Sequence, residues 1–243
     1  MDYHVFILSR VREGRRRQAS GSKRERNGNR VQMTILLIGL ALLTGQQGPG
    51  FSARVDNPWF PLMTGTTYVY AGSKEGQPAR DIVSVTRRTT MIDGAPCAVV
   101  QDRLYTRGQL VERTTDWYTQ DRRGNVWYFG EQTAELDNRG RITSTEGSWQ
   151  AGVRGAKPGI FMPARPRVGN SYRQEFWKGH AEDHFRVIGR FGLATKNALL
   201  TKEWTPLEPG VIDHKLYVRG IGTVLEETVR GGKEHFELVS LRS

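Results

Sequence analysis

The sequence predicts an all-β fold: an antiparallel up-and-down meander that forms a curved sheet, half-barrel or barrel, after an N-terminal signal segment. From Thr66 to the end, apolar and polar residues alternate with the period of two that is typical of half-buried strands. Turn residues recur roughly every eight to twelve positions, and long helical periodicity is scarce. Hairpins that follow one another in chain order favour an up-and-down arrangement.

The predicted strands are bounded by Gly, Pro, Asn and Asp. They cover Thr66–Ala71, Asp81–Thr90, Cys97–Thr106, Leu110–Gln120, Val126–Thr133, Ile142–Gln150, Ser171–Trp177, Ala181–Phe191, Leu199–Trp204, Lys215–Arg219, Thr223–Val229 and His235–Leu241. Asp121–Asn125 predicts a hairpin loop, because its glycine can adopt a positive φ. Gly and Pro are dense between Ala151 and Gly169, so we expect a long loop there.

The sequence predicts a leader over residues 1–52 and a single β domain over residues 53–243. A basic stretch precedes the apolar run Ile35–Leu43, which has roughly half the length that a membrane-spanning helix needs. Small residues then allow a cut before Ala53, as in a secretory signal peptide. We therefore expect an exported protein of the periplasm, cell envelope or extracellular space that contacts membrane only through this segment. An uncleaved signal anchor is one alternative. A translation start at Met33 is another, but it would remove every positive charge ahead of the apolar run and so weaken the signal.

The net charge of +11 does not predict nucleic-acid binding. The leader holds nine of the 36 Lys and Arg residues but three of the 25 Asp and Glu residues. In the remainder the charges alternate in sign, as in Lys202-Glu203 and Asp121-Arg122-Arg123. Because a nucleic-acid footprint needs a cluster or stripe of one sign, we expect no nucleic-acid partner.

Cys97 is the one cysteine of the chain, so no intramolecular disulfide can form. It lies in the apolar run Pro96–Val100, which predicts a buried, unreactive side chain.

The segment His180–Val187 is the candidate metal site. On a strand, His180, Glu182 and His184 would share one face, opposite Ala181 and Asp183. Imidazole and carboxylate groups at this spacing can converge on zinc. The alternative is a solvent-facing strand whose polar residues stay hydrated.

A second polar set, Asp116, Asp121, Asn125 and Glu131, offers oxygen ligands of the kind that calcium prefers. Its spacing does not match an EF-hand loop. Asp121 and Asn125 flank a glycine turn, where such residues make local hydrogen bonds, and the turn is the favoured interpretation.

Many aromatic residues are available to fill the core. A barrel can also hold a small apolar ligand in its mouth. We expect Ile160, Phe161 and Met162 to form a lid over such a site, with Trp127 and Trp177 as further ligand contacts.

Four segments resemble blocks of an uncharacterised family of exported bacterial β-rich proteins: Asp56–Leu62, Asp116–Glu131, Gly147–Pro163 and Thr201–Gly222. The motifs are DWYTQDRRGNVWYFGE, GSWQAGV, PGIFMPA, TKEWTPLEPG and KLYVRGIGTVLEE. The resemblance implies an envelope or secreted β protein and brings no known activity.

No nucleophile elbow, phosphate loop, dinucleotide fingerprint or zincin motif occurs in the sequence. No catalytic residue can therefore be assigned. We expect a non-enzymatic protein without a cofactor that binds a hydrophobic small molecule or an envelope component. The alternative is a hydrolase-like enzyme that uses zinc at His180, Glu182 and His184. The sequence does not indicate the oligomeric state.

Overall fold

The computed structural model describes residues 50–193 and 196–243, so the predicted signal segment lies almost entirely outside the described residues. The described chain forms fifteen strands, and it contains no helix that could span a bilayer. The strands are β1 (Thr67–Lys74), β2 (Gln77–Ile92), β3 (Ala95–Thr106), β4 (Gln109–Gln120), β5 (Val126–Leu136), β6 (Ile142–Ser144), β7 (Trp149–Gln150), β8 (Lys157–Met162), β9 (Ser171–Arg173), β10 (Glu175–Phe176), β11 (His184–Leu193), β12 (Lys196–Trp204), β13 (Ile212–Val218), β14 (Gly222–Arg230) and β15 (His235–Arg242).

The strands form one antiparallel sheet that curls into a nearly closed barrel. Strands β1 to β5 pair in chain order, and so do strands β11 to β15. β1 also pairs with β15, which brings the two ends of the meander together. β8 continues the sheet from β5, and the short strands β6 and β7 also pair with β5. This up-and-down order confirms the predicted fold class.

The sheet closes through one short segment, Ser171–Phe176, whose two halves have different partners. Its first half, β9, pairs with β11, and its second half, β10, pairs with β8. The exchange falls at Gln174, whose N–H donates to Asp183 O at 2.7 Å. This segment comes so close to β8 that a Cβ on Gly159 would lie 2.2 Å from Arg173 O. The closure therefore depends on glycine at position 159.

The prediction of a long loop over Ala151–Gly169 is wrong in its middle, where Lys157–Met162 forms β8 and belongs to the barrel wall. The residues predicted as a lid, Ile160, Phe161 and Met162, therefore lie on a strand. Pro158 lies opposite Glu175 in the short ladder between β8 and β10. Gly159 gives the closing segment its space. The Gly and Pro residues here mark an edge ladder and a close backbone approach, which are the positions that a sheet tolerates for them.

The strand predicted over Ile142–Gln150 is two short strands with a turn between them. Ser148 N–H donates to Thr145 O at 3.2 Å, and Gly147 has a φ of 93°. The alternation in the sequence continues across this turn, so periodicity alone does not locate it.

Alternation decides which side chains enter the barrel. On β11 Phe185 and Val187 are buried, whereas Arg186 and Ile188 are exposed. Cys97 is fully buried on β3, as predicted, and burial raises the pKa of its thiol to about 12. A thiol in this setting stays protonated and unreactive at neutral pH.

Phe51 and Ser52, which precede the predicted cleavage position at Ala53, contact the barrel. Ser52 exchanges two backbone hydrogen bonds of 2.9 Å with Gln120. The Phe51 ring lies 5.2 Å from that of Phe129 and 6.0 Å from that of Trp127, both edge-on. Two residues that the sequence assigns to the leader thus pack onto the β domain.

Candidate binding site in the barrel interior

A cavity of about 80 Å³ lies inside the barrel and is partly open to solvent. Strands β1 to β5 line one part of it and strands β13 and β14 another, together with the segment that leads into β1. Its wall has an aromatic side and a carboxyl-rich side. The volume exceeds the roughly 10–15 Å³ that one water needs and falls below the 300–1,000 Å³ typical of drug-sized ligand pockets.

Four rings form the aromatic side. Phe60, from the lead-in before β1, lies 4.5 Å from Phe161 of β8 and 5.2 Å from Tyr118 of β4 between ring centroids. Tyr118 stacks on Tyr128 of β5 at 4.8 Å. Four elements of the chain, the lead-in, β4, β5 and β8, thus contribute rings to one wall.

Carboxyl groups form the other side, on adjacent strands. Asp102 of β3 lies opposite Thr114 of β4, and Asp116 of β4 lies opposite Glu131 of β5. All four residues line the cavity. The Tyr128 hydroxyl donates a 2.7 Å hydrogen bond to Asp116 Oδ1 and so joins the two sides.

Burial raises the pKa of the two aspartates that line the cavity, Asp102 and Asp116, above the ordinary value for a carboxyl. Burial, with a smaller contribution from the neighbouring Asp102 carboxyl, raises the pKa of Asp116 to about 8. Burial also raises the pKa of Asp81 to about 7, and it raises that of Asp102 well above the ordinary value, with the Asp81 carboxyl as the next cause. The Asp81 and Asp102 carboxyls would repel each other if both were ionised, so this pair retains a proton near neutral pH.

Two groups that line the cavity have no hydrogen-bond partner: the Tyr70 hydroxyl and Asp102 Oδ1. Tyr70 is fully buried and Asp102 is 5% exposed. An unpartnered buried polar atom costs about 1–3 kcal/mol. An occupant of the cavity that hydrogen-bonds to these atoms would offset that cost.

Lys215 of β13 also lines the cavity, but its charge is engaged by other carboxyls. Its Nζ lies 3.0 Å from Glu203 Oε2 and 3.1 Å from Glu226 Oε1. Burial raises the pKa of Glu226 to about 8, and the Lys215 ammonium opposes the shift.

Of the five residues that the sequence predicts as ligand contacts, Phe161 lines the cavity. Met162 is fully buried on the neighbouring position of β8. Trp127 donates from Nε1 to Asp121 Oδ2 at 3.0 Å. Ile160 and Trp177 are half-buried, and neither of them lines this cavity.

The turn interpretation of Asp121 and Asn125 agrees with the structure. Asp121 Oδ1 accepts hydrogen bonds from the N–H groups of Arg123 and Asn125, each at 2.9 Å. Burial alone would raise the pKa of Asp121, but the hydrogen bonds from Trp127, from the Asn125 side chain and from these two N–H groups together lower it. The other two members of that set, Asp116 and Glu131, lie inside the barrel.

The candidate zinc residues begin in a turn rather than on a strand. His180 is exposed and stacks on Trp177, with the ring centroids 3.9 Å apart. Glu182 Oε1 accepts a 2.6 Å hydrogen bond from the N–H of Gly179. The predicted alternation holds, since Ala181 is buried on the opposite side.

His184 opens β11 and stacks on Trp204 at 5.4 Å. Burial, followed by the Arg173 charge, lowers the pKa of His184, and Glu182 opposes the shift. Across residues 50–193 and 196–243, no three His, Cys, Asp or Glu side chains form a group that could hold a metal ion. The structure therefore does not assemble His180, Glu182 and His184 into a site, and zinc binding there stays the untested alternative to a protein without a cofactor.

Sequence reasoning missed Asp81 and Asp102 on the inner face, although a signal for them exists. Asp81 has the phase of Val83 and Val85, and Asp102 has the phase of Val100 and Leu104. A carboxyl that falls in phase with buried apolar residues is directed to the inner face of the strand.

No family model matches the chain, and no curated protein matches it. Two solved structures are similar in fold. One is a Bacteroides fragilis protein described as exported, with a YmcC-like fold: 13% identity, 76% of this chain and 99% of that chain covered, TM-score 0.41. The other is a Parabacteroides distasonis protein described as a lipoprotein: 11% identity, 76% and 98% covered, TM-score 0.38. At these identities and TM-scores neither similarity identifies a family or an activity for this chain.

Proposed function

We propose that the chain is an exported envelope or secreted protein that binds a small molecule, or the small end of a larger one, inside its barrel. The main support is the partly open cavity inside the barrel. Its rings, those of Phe60, Tyr118 and Phe161, offer an apolar contact surface. Small-molecule sites combine such apolar walls with a few placed polar groups. An envelope component as partner has no specific contact in its favour.

Export rests on the leader. The basic stretch, the apolar run Ile35–Leu43 and the small residues after it have the order of a secretory signal. Fractionation of cells that express the full chain tests this part. Recovery in the periplasm, envelope or medium supports export, and recovery in the cytoplasm alone overturns it.

Binding is tested with fluorobenzene, a small aromatic probe, by fluorine NMR on protein expressed from the full sequence. We expect saturable binding that Phe161→Ala weakens by about tenfold, because the ring supplies much of the apolar wall. Phe191→Ala is the matched control, since Phe191 is exposed on β11. Equal effects of the two substitutions would remove the cavity as the site.

A further inference from the structure

The two unpartnered groups in the cavity define what its occupant must offer. The Tyr70 hydroxyl can donate or accept, and Asp102 Oδ1 accepts when the carboxyl is ionised. Both belong to side chains that are at least nine-tenths buried and line the cavity. An occupant with a hydrogen-bond donor would pair with these atoms, a positive charge would be attracted to an ionised Asp102, and a hydrocarbon would do neither.

The charges around the cavity favour an occupant with a positive charge. Asp102, Asp116 and Glu131 line it. Lys215 is the one cation among the described lining residues, and Glu203 and Glu226 flank its Nζ. An anion would meet several carboxyls at close range, whereas a cation would stabilise their ionised forms.

The aromatic side has the chemistry that holds ammonium groups. The ring faces of tyrosine and phenylalanine attract cations, and aromatic cages bind quaternary ammonium ligands. Tyr118, Tyr128 and Phe161 lie within 4.8 to 5.8 Å of one another between centroids, on the wall that Asp116 adjoins. Rings beside carboxyls, in a cavity of about 80 Å³, fit a head group and not a large ligand.

From these contacts we propose that the cavity receives a small alkylated ammonium group, held between the carboxyls of Asp102 and Asp116 and the rings of Tyr118 and Phe161. The inference rests on the proposed binding function and names its ligand class. The apolar remainder of a larger amine would extend through the open side of the cavity.

The test compares choline with its neutral isostere 3,3-dimethylbutanol, in which carbon replaces the charged nitrogen, by calorimetric titration of protein expressed from the full sequence. We expect choline to bind about tenfold or more tightly, since cation–π and carboxylate contacts act on the charge alone. Equal affinities would overturn the ammonium inference and leave the binding function in place. Absence of binding by choline, the isostere and fluorobenzene would overturn both.

Two substitutions test whether the Asp116 carboxyl contacts the ammonium group. Asp116→Asn keeps the size of the side chain and should weaken choline binding by about tenfold while leaving the isostere within about twofold. Asp56→Asn removes a carboxyl from an exposed position and should change neither affinity. Loss of choline binding in both variants, or in neither, would contradict the assignment. If Asp116→Asn fails to fold, the comparison of choline with its isostere on the unaltered chain still decides the question.

Discussion

The Tyr128 hydroxyl donates a 2.7 Å hydrogen bond to Asp116 Oδ1 inside the barrel. Burial raises the pKa of Asp116 to about 8, far above the value of about 3.9 for a carboxyl in the unfolded chain. The folded state therefore binds a proton that the unfolded state releases. The stability from this group is fully present below about pH 4 and is lost as pH rises to about 8.

Asp116→Asn should flatten this pH dependence. The amide cannot ionise, and its oxygen can still accept from Tyr128. Between about pH 5 and pH 8 we expect the variant to lose about 1–3 kcal/mol less unfolding free energy than the unaltered protein. Urea unfolding at three pH values measures this. Asp56→Asn, an exposed change, should keep the original slope, and equal slopes in all three proteins would contradict the assignment of the proton to Asp116.

Lys215 should contribute strongly to stability because it is flanked by two buried carboxyls. Its side chain is 11% exposed, and those of Glu203 and Glu226 are 5% and 2% exposed. Lys215→Met would leave the two acids without this charge and should cost about 3–5 kcal/mol at neutral pH. Lys233→Met, in the exposed turn before β15, should be nearly neutral.

Gly159 should tolerate no side chain, because the closing segment lies against it. A Cβ there would lie 2.2 Å from Arg173 O and 2.5 Å from Gln174 C. Gly159→Ala should cost about 2 kcal/mol or more, in line with other overpacked sites. Gly192→Ala is the matched control, since no atom lies within 4 Å of a Cβ at that strand position. A similar melting temperature for the two variants would contradict the close approach.

Strands could be predicted from the sequence wherever alternating apolar and polar residues were followed by residues typical of a turn. The strand predicted at Val126 begins there, and the one predicted at His235 begins there too. β8 could not be predicted, because its Gly159 serves a contact with Arg173, which comes from a later segment. Local pattern does not report such long-range approaches.

The site could be predicted only in part, for a related reason. The Gly- and Pro-rich stretch around Phe161 predicts this residue as a ligand contact, but as part of a lid. The cavity also needs Phe60 and Asp102, which are far apart in sequence and meet only in the closed barrel. The phase of Asp102 shows that it faces inward, but it does not show which group faces it across the interior.

The His180 region should not bind zinc in stoichiometric amounts. Glu182 is engaged by Gly179 N–H, and His180 stacks on Trp177. Metal analysis of protein expressed from the full sequence, beside a His180→Ala/His184→Ala variant, measures this. Stoichiometric zinc that the double variant loses would establish the site and require a rearranged turn.

If the leader is cleaved, the cut should fall upstream of Phe51, so that the mature protein keeps this residue. Its ring packs edge-on against Trp127 and Phe129, and Ser52 pairs with Gln120 through two backbone hydrogen bonds. A cut before Ala53 would remove these contacts. If Phe51 is retained, Phe51→Ala should lower the unfolding free energy of the exported form by about 1–2 kcal/mol, less than a fully buried phenylalanine because the ring is half-buried. Mass spectrometry of the intact protein identifies its N-terminal residue independently. A mass that begins at Ala53, with no effect of Phe51→Ala on stability, would place the cut where the small residues of the leader predict it.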